Sequence, residues 1–178
     1  MRLIEIVGGE GIIPELNASF RDEAFLEIVD HLVATGRLNE RHKEDLLMAL
    51  LKRESLGATS IGNHVAIPHV KTDLVTEFVG AIAISKKGID FAPGEEKVHV
   101  VILFLSPSRA VSGHLRLLAH IGGILNHDGY VRLLRDAVGR SEIVDLVRDA
   151  ERMIFGDPSA ADEDGNDDRQ GGKDPVLA

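Results

Sequence analysis

The chain has 178 residues, of which 44% are hydrophobic and 28% charged, a composition typical of one ordinary globular domain with a sizeable core. It contains no cysteine, which excludes disulfides, thiolate metal sites and a phosphocysteine intermediate within this chain. The net charge of −9 and the lack of a basic stripe argue against direct binding of nucleic acid.

The hydrophobic pattern changes between strand and helix periods along the chain and shows no internal repeat. Residues 2–7 alternate like a short strand. Over residues 22–35 the apolar positions fall on one helical face, which predicts a first helix that ends at Gly36. A second helix is expected to begin at an Asn39 cap and to continue to about Ser55.

Two continuous apolar runs rich in β-branched residues come next, over residues 79–85 and 98–105. Runs of this kind are typical of central strands that are covered on both faces. Residues 88–95 between them form a turn-rich connection. After a boundary at Ser106-Pro107-Ser108, three helices are predicted over residues 109–125, 130–137 and 142–155. These elements together predict a one-domain α/β sandwich.

The end of the chain differs in composition from the rest. Residues 157–178 contain seven acidic residues and two basic ones, a net charge of −5, with clustered glycine and few apolar side chains. Such a segment cannot bury enough surface to offset its ordering entropy, so we expect a folded domain over 1–156 and an acidic, disordered, solvating tail over 157–178. The sequence has no run of 18 apolar residues and no secretory signal, so we expect a cytoplasmic protein with no direct membrane insertion.

Residues 57–71 are the most informative stretch, because a loop of small residues leads into a short apolar strand that stops at Pro68-His69. Pro68 favours an extended Ile67 and fixes its own φ, so His69 is expected at a rigid strand end. With flexible glycine backbone and the cation Lys71 beside it, this histidine suits chemistry in which an imidazole accepts a phosphoryl group. His69 is therefore the predicted nucleophile.

Four motifs in this order resemble a known family: Leu51-Lys52-Arg53-Glu54, Gly57-Ala58-Thr59-Ser60-Ile61-Gly62-Asn63, Val65-Ala66-Ile67-Pro68-His69 and Gly113-His114-Leu115. Over roughly residues 1–155 the chain resembles enzyme IIA of the bacterial phosphoenolpyruvate-dependent phosphotransferase system, in its fructose/mannitol and nitrogen-regulatory branch. The resemblance implies a central mixed β-sheet flanked by helices on both faces. It also implies reversible transfer of a phosphoryl group from a histidine phosphocarrier protein.

The resemblance assigns roles to three residues. His69 matches the phosphoryl-accepting histidine, His114 the second active-site histidine and Arg53 the arginine that precedes the Gly-rich loop. The chemistry of these side chains is compatible with that assignment, because a neutral imidazole is a nucleophile near pH 7, and a guanidinium and an imidazole N–H can neutralise phosphoryl oxygens. No metal and no cofactor is required.

The resemblance implies a second partner, either a IIB component or a regulatory target protein. A chain with no attached IIB or membrane segment favours a regulatory relay over sugar uptake. The alternative is a noncatalytic regulatory binding module that retains the fold.

The chain departs from the family at two positions, because His64 and Val70 stand where the family usually has glycine. A valine after the acceptor restricts the backbone and crowds the approach of backbone N–H groups to the phosphoryl oxygens. His64 can either add a cationic donor to the phosphoryl group or point to solvent, and we expect it to point to solvent.

A third functional class, a metalloenzyme with His64, His69 and His114 as ligands, stays open, although the sequence contains no His-Glu-x-x-His motif. The other histidines have no such support. We assign them to the surface or to core packing: His31, His42, His99, His120 and His127.

Overall fold

A six-stranded mixed β-sheet forms the centre of the protein in a computed structural model that describes residues 1–127 and 129–156. The strands are β1 (Ile12–Ile13), β2 (Ser60–Gly62), β3 (Val65–Ala66), β4 (His69–Thr72), β5 (Val79–Ile89) and β6 (Val98–Pro107). The helices are α1 (Leu3–Val7), α2 (Arg21–Ala34), α3 (Lys43–Ser55), α4 (Val111–Leu125), α5 (Tyr130–Asp136) and α6 (Arg140–Phe155).

The strand order is β1-β5-β6-β3-β2, and β4 pairs with β6 outside this path. The two long central strands, β5 and β6, are antiparallel to each other. Strand β1 is parallel to β5, whereas β3 and β4 are both parallel to β6. The predicted mixed sheet is confirmed.

Helices cover both faces of this sheet, as β6 shows. Alternate residues of β6 contribute to two separate hydrophobic clusters, because successive side chains of a strand point to opposite faces. One cluster contains Val100, Ile102 and Phe104 together with residues of α1, α4, α5 and α6. The other contains Val101, Leu103 and Leu105 together with residues of α2 and α3. The predicted α/β sandwich with helices on both faces is therefore confirmed.

The predicted helices and central strands are found within a few residues of their expected bounds. Asn39 does cap the second helical segment, because its side chain accepts a bond from the Arg41 N–H at 3.1 Å, but the first turn is a 3₁₀ turn. Strand β5 extends past its expected end to Ile89. Its register shifts before Ile89, and Gly88 has a φ of 79°, so the glycine expected in a turn instead forms an irregularity within the strand.

The predicted strand over residues 2–7 is wrong, because these residues form α1. Both ends of this short helix are stabilised by distant side chains. The Leu3 N–H donates to the carboxylate of Glu151 at 2.5 Å, and the guanidinium of Arg37 donates to the carbonyls of Ile6 and Val7 at the other end. These contacts pair the end groups of a five-residue helix, which is too short to be stable in isolation.

The chain around Pro68 also differs from the expectation of a strand that ends at His69. Strand β3 ends before Pro68, β4 begins at His69, and both strands lie along the same neighbour, β6. Proline has no N–H to contribute to the ladder, so it separates the two strands, while its carbonyl still accepts from the Phe104 N–H at 3.0 Å. His69 is thus the first residue of a strand.

The predicted acidic tail over 157–178 lies outside the described residues and stays a prediction. Within residues 1–127 and 129–156, no helix has the length and apolar character needed to cross a membrane.

Candidate active site

The three residues predicted for the site come together in one open cleft of about 590 Å³. His69 begins β4, Arg53 lies in the last turn of α3, and His114 lies in the first turns of α4. The cleft therefore lies where one helix from each face of the sheet approaches the start of β4.

A backbone carbonyl orients the His69 ring. The distance from His69 Nδ1 to the carbonyl oxygen of Ile67 is 2.7 Å. Because a carbonyl can only accept, Nδ1 carries the proton in this bond, and the lone pair of the neutral ring is on Nε2. The ring also stacks on Phe104, with centroids 5.5 Å apart and an interplanar angle of 17°. These two contacts fix both the tautomer and the plane of the imidazole.

Arg53 approaches the free nitrogen of His69. Its Nη2 lies 3.4 Å from His69 Nε2, while its Nη1 donates to the carbonyl of Gly57 at 3.0 Å. Burial lowers the pKa of His69 below its usual value of 6.5, the bond to the Ile67 carbonyl opposes this shift, and the charge of Arg53 adds to it. The His69 ring is therefore a neutral nucleophile at pH 7 with a guanidinium next to its lone pair.

A buried carboxylate connects α3 to the loop before His69. Glu54 is only 4% exposed, and its two oxygens accept from the backbone N–H and the hydroxyl of Thr59 at 2.7 and 2.8 Å. The Thr59 carbonyl in turn accepts from the Ile67 N–H at 3.0 Å. A continuous chain of hydrogen bonds thus runs from Glu54 through Thr59 and Ile67 to the ring of His69.

The sequence pattern does not predict this role for Glu54. The one signal it contains is the position of a carboxylate in the last turn of a helix, where the helix dipole disfavours negative charge. Such a residue needs a specific partner, which here is Thr59.

His114 lies behind His69 and is almost fully buried, with 5% exposure. The centroids of the two histidine rings are 5.3 Å apart at 65°, and His114 Nδ1 lies 2.7 Å from the hydroxyl oxygen of Ser106. Burial lowers the pKa of His114 to about 4, and the adjacent His69 ring and the cations Lys71 and Arg53 contribute to the same shift. His114 is consequently a neutral imidazole at pH 7.

His64 does not line this cleft. It follows Asn63 in the two-residue turn between β2 and β3, and both residues have positive φ, 50° and 61°, as a type I′ hairpin turn requires. Its Nδ1 donates to the Lys97 carbonyl at 2.9 Å, and its Nε2 lies 3.6 Å from Glu96. The expected solvent orientation is therefore only partly right, because the ring is 41% exposed but bonded. The positive φ explains why glycine suits this position.

Val70 lies in regular strand backbone. It pairs with Leu105 in β6, contributes to the cleft wall and packs against the hydrophobic cluster under α2 and α3. Among the described residues, Asn63 and His64 are the non-glycine residues with positive φ, so the backbone conformation at Val70 does not require glycine.

The geometry does not support the metal site suggested by the three histidines. Only His69 and His114 of that set line the cleft. Over residues 1–127 and 129–156, no group of three or more His, Cys, Asp or Glu side chains is placed to hold a metal ion.

Comparison with known proteins gives matches over most of the chain. The family model for the phosphoenolpyruvate-dependent sugar phosphotransferase system, EIIA 2, matches residues 5–150. The nitrogen regulatory protein of Bradyrhizobium diazoefficiens is 32% identical over 136 residues, which are 76% of this chain and 87% of that protein. The fructose-specific EIIABC component of the PTS system of Bacillus subtilis is 29% identical over 150 residues, which are 83% of this chain but 23% of that protein.

Solved structures agree with these matches. The nitrogen regulatory protein IIA-Ntr from Neisseria meningitidis superposes with a TM-score of 0.72 at 25% sequence identity. The match covers 80% of this chain and 97% of that one. The likeness therefore extends to the arrangement of helices and strands.

The lowered pKa of His114 predicts a specific dependence of stability on pH. The unfolded imidazole takes up a proton near pH 6.5, whereas the folded one does so only near pH 4, so the unfolded state binds more protons between these values. The contribution of His114 to the free energy of unfolding is complete above pH 6.5. It is lost as the pH falls towards 4, by about 1.4 kcal/mol per pH unit. Urea unfolding at a series of pH values measures it.

The His114→Asn variant should show a flatter decline of the unfolding free energy between pH 6.5 and 4.5 than the wild type. His127→Asn, which replaces an exposed histidine, serves as the matched control and should decline like the wild type. Equal slopes for His114→Asn and the wild type would show that burial does not hold His114 neutral.

Proposed function

The chain belongs to the EIIA 2 family of the phosphoenolpyruvate-dependent sugar phosphotransferase system, and from this we propose that His69 accepts a phosphoryl group from a histidine phosphocarrier protein. One observation carries the proposal. The bond from Nδ1 to the Ile67 carbonyl leaves the lone pair on Nε2, in a cleft next to the guanidinium of Arg53. We therefore assign the acceptor atom as His69 Nε2.

The proposed transfer is balanced without a proton donor or a metal. The bond between phosphorus and His69 Nε2 forms as the bond between phosphorus and the nitrogen of the donor imidazole breaks, and the departing imidazole keeps that electron pair. The donor ring leaves as a neutral imidazole because its other nitrogen carries a proton, and His69 keeps its own proton on Nδ1. Both reactants are imidazoles, so the bond that forms and the bond that breaks are of the same kind and the step runs in either direction. Reversibility of this kind suits a relay.

The side chains around Nε2 match the charge that moves in this step. The three outer oxygens of a phosphoryl group in transit are negative, and positioning and charge neutralisation dominate its transfer. Arg53, Lys52 and Lys71 are cations that line the cleft, and none of the described residues that line it is acidic. We assign Arg53 as the residue that stabilises the phosphoryl charge and His114 as a neutral N–H donor to it.

The rim of the cleft supports a protein as the phosphoryl donor. Leu56 and Leu115 line the cleft and are 81% and 60% exposed. Exposed apolar side chains around a polar site are typical of a protein-binding surface, because a protein partner buries them when it docks. A histidine phosphocarrier protein would bring its phosphoimidazole to Nε2 in this way.

We further propose that the relay is regulatory, of the nitrogen type. The support is the similarity to the nitrogen regulatory protein of Bradyrhizobium diazoefficiens over 87% of that protein's length. The downstream partner would then be a regulatory target protein. The similarity to a fructose-specific component from Bacillus subtilis supports the second candidate, sugar uptake through a IIB component.

The noncatalytic binding module stays an alternative because the Val70 side chain forms part of the cleft wall. An isopropyl group there occupies space that glycine would leave open to the phosphoryl oxygens. A protein of this kind would bind the phosphocarrier without becoming phosphorylated.

Incubation with phosphoenolpyruvate, the first enzyme of the relay and its phosphocarrier should add one phosphoryl group to the protein. Intact mass spectrometry should detect an adduct that is labile in acid and stable in base, as a phosphoramidate is. His69→Ala should abolish it because the accepting lone pair is removed, whereas His127→Ala at an exposed position should be labelled normally. Labelled His69→Ala, or an acid-stable adduct, would contradict the assignment, and an unlabelled wild type would favour the noncatalytic module.

Replacement of Arg53 should slow the transfer without preventing it. Loss of a charge-assisted hydrogen bond is expected to raise the barrier by about 2 kcal/mol, which makes Arg53→Ala roughly thirtyfold slower. Arg53→Lys should be intermediate because it keeps the charge but not the planar fork. Rapid-quench measurements would be compared with Arg132→Ala, at a position 79% exposed in α5, and circular dichroism would verify the fold. A wild-type transfer rate in Arg53→Ala would show that Arg53 does not stabilise the phosphoryl group.

His114→Ala should still be labelled, because His114 does not carry the covalent bond in the proposed step. Labelling from the phosphocarrier and return of the label should both be slower, since the same contact operates in both directions of a reversible step. Forward and reverse rates measured together with thermal unfolding decide the role. A lower melting temperature with unchanged rates per folded molecule would show that His114 only packs.

A further inference from the structure

A buried hydroxyl lies directly behind the second histidine of the cleft. Ser106 is in the central strand β6, where its residue pairs with Lys71 of β4, and it has no exposed surface. Its Oγ lies 2.7 Å from His114 Nδ1. The resemblance assigned no role to Ser106, and the sequence pattern treated it only as the boundary before a helix.

The hydrogen positions in this contact follow from the partners that are present. Among the described residues, His114 Nδ1 is the one hydrogen-bond partner of the Ser106 hydroxyl. A buried hydroxyl that accepted from Nδ1–H would leave its own proton without an acceptor, which is costly, whereas a hydroxyl that donates to Nδ1 satisfies its donor. The second arrangement places the proton of the neutral ring on Nε2.

The orientation of the ring gives this proton a function. Nδ1 is turned to the buried strand, so Nε2 is the nitrogen left to face the cleft that His114 lines with His69 and Arg53. Phosphoryl oxygens accept hydrogen bonds and do not donate them when ionised. A lone pair on Nε2 would repel these oxygens, and an N–H there attracts them.

We propose that Ser106 is a positioning residue, whose hydroxyl donates to His114 Nδ1 and thereby holds the N–H of Nε2 towards the phosphoryl group. This inference rests on the proposed function for its role in transfer. The tautomer itself is a property of the unphosphorylated protein.

The tautomer is measured by two-bond ¹H–¹⁵N correlation spectra of the imidazole nitrogens at pH 7. The His114 signals are assigned by their absence from His114→Ala. In the wild type, His114 Nε2 should have the shift of a protonated nitrogen and Nδ1 that of an unprotonated nitrogen which accepts a hydrogen bond. In Ser106→Ala the two neutral tautomers should mix, so the Nδ1 and Nε2 shifts should move towards each other, whereas Ser106→Thr, which keeps a hydroxyl, should retain the wild-type pattern.

Transfer rates provide the second measurement. Ser106→Ala should transfer roughly three- to tenfold more slowly in both directions, the scale of one lost neutral hydrogen bond, and Ser106→Thr should recover most of the rate. Ser85→Ala is the matched control, because Ser85 is also fully buried but its hydroxyl accepts from the Gly88 N–H instead. It should keep the wild-type rate per folded molecule and the wild-type His114 spectrum.

Three results would overturn the proposal: a proton on His114 Nδ1 in the wild type, an unchanged His114 spectrum in Ser106→Ala, or equal slowing in Ser106→Ala and Ser85→Ala. If the wild-type protein is not phosphorylated at all, the proposed function fails. The spectra then still establish whether Ser106 sets the tautomer. The two failures are therefore distinguishable.

Discussion

The bond from His69 Nδ1 to the Ile67 carbonyl is the contact on which the chemistry of the cleft depends, because it decides which ring nitrogen carries a lone pair. A carbonyl can do this only if its own position is fixed. The Ile67 N–H donates to Thr59, and Thr59 is held at two atoms by the buried carboxylate of Glu54. Since Glu54 follows Arg53 in α3, one helix end positions both the nucleophile and the guanidinium beside it.

Burial and positive charge act in the same direction on the two imidazoles of the cleft. Both have a lowered pKa because the charged form loses solvation, and the cations nearby disfavour a further positive charge. The same cations attract the negative oxygens of a phosphoryl group. A site that keeps its histidines neutral is thus already suited electrostatically to the group we propose it carries, with no rearrangement of charges before the donor arrives.

Much of the fold could be predicted because the hydrophobic period is a local property, as in α2 and in the buried strand β6. Helix α1 could not, since its five residues are too few to establish a hydrophobic period and its stabilising partners, Arg37 and Glu151, are distant in sequence. The resemblance identified the three residues that meet in the cleft. Ser106 and Glu54 escaped prediction because each acts through one partner, His114 and Thr59 respectively, and only the packed structure brings these partners into contact.

The break at Pro68 also explains why the cleft lies where it does. Because β3 and β4 follow one another along β6, Ile67 and Pro68 separate the two strands, and His69 begins the second one at the margin of the sheet. Helix α3 covers one face of the sheet and α4 the other, so a side chain from each can meet only where the sheet between them ends. At the first residue of β4, Arg53 and His114 therefore reach the same imidazole from opposite layers of the fold.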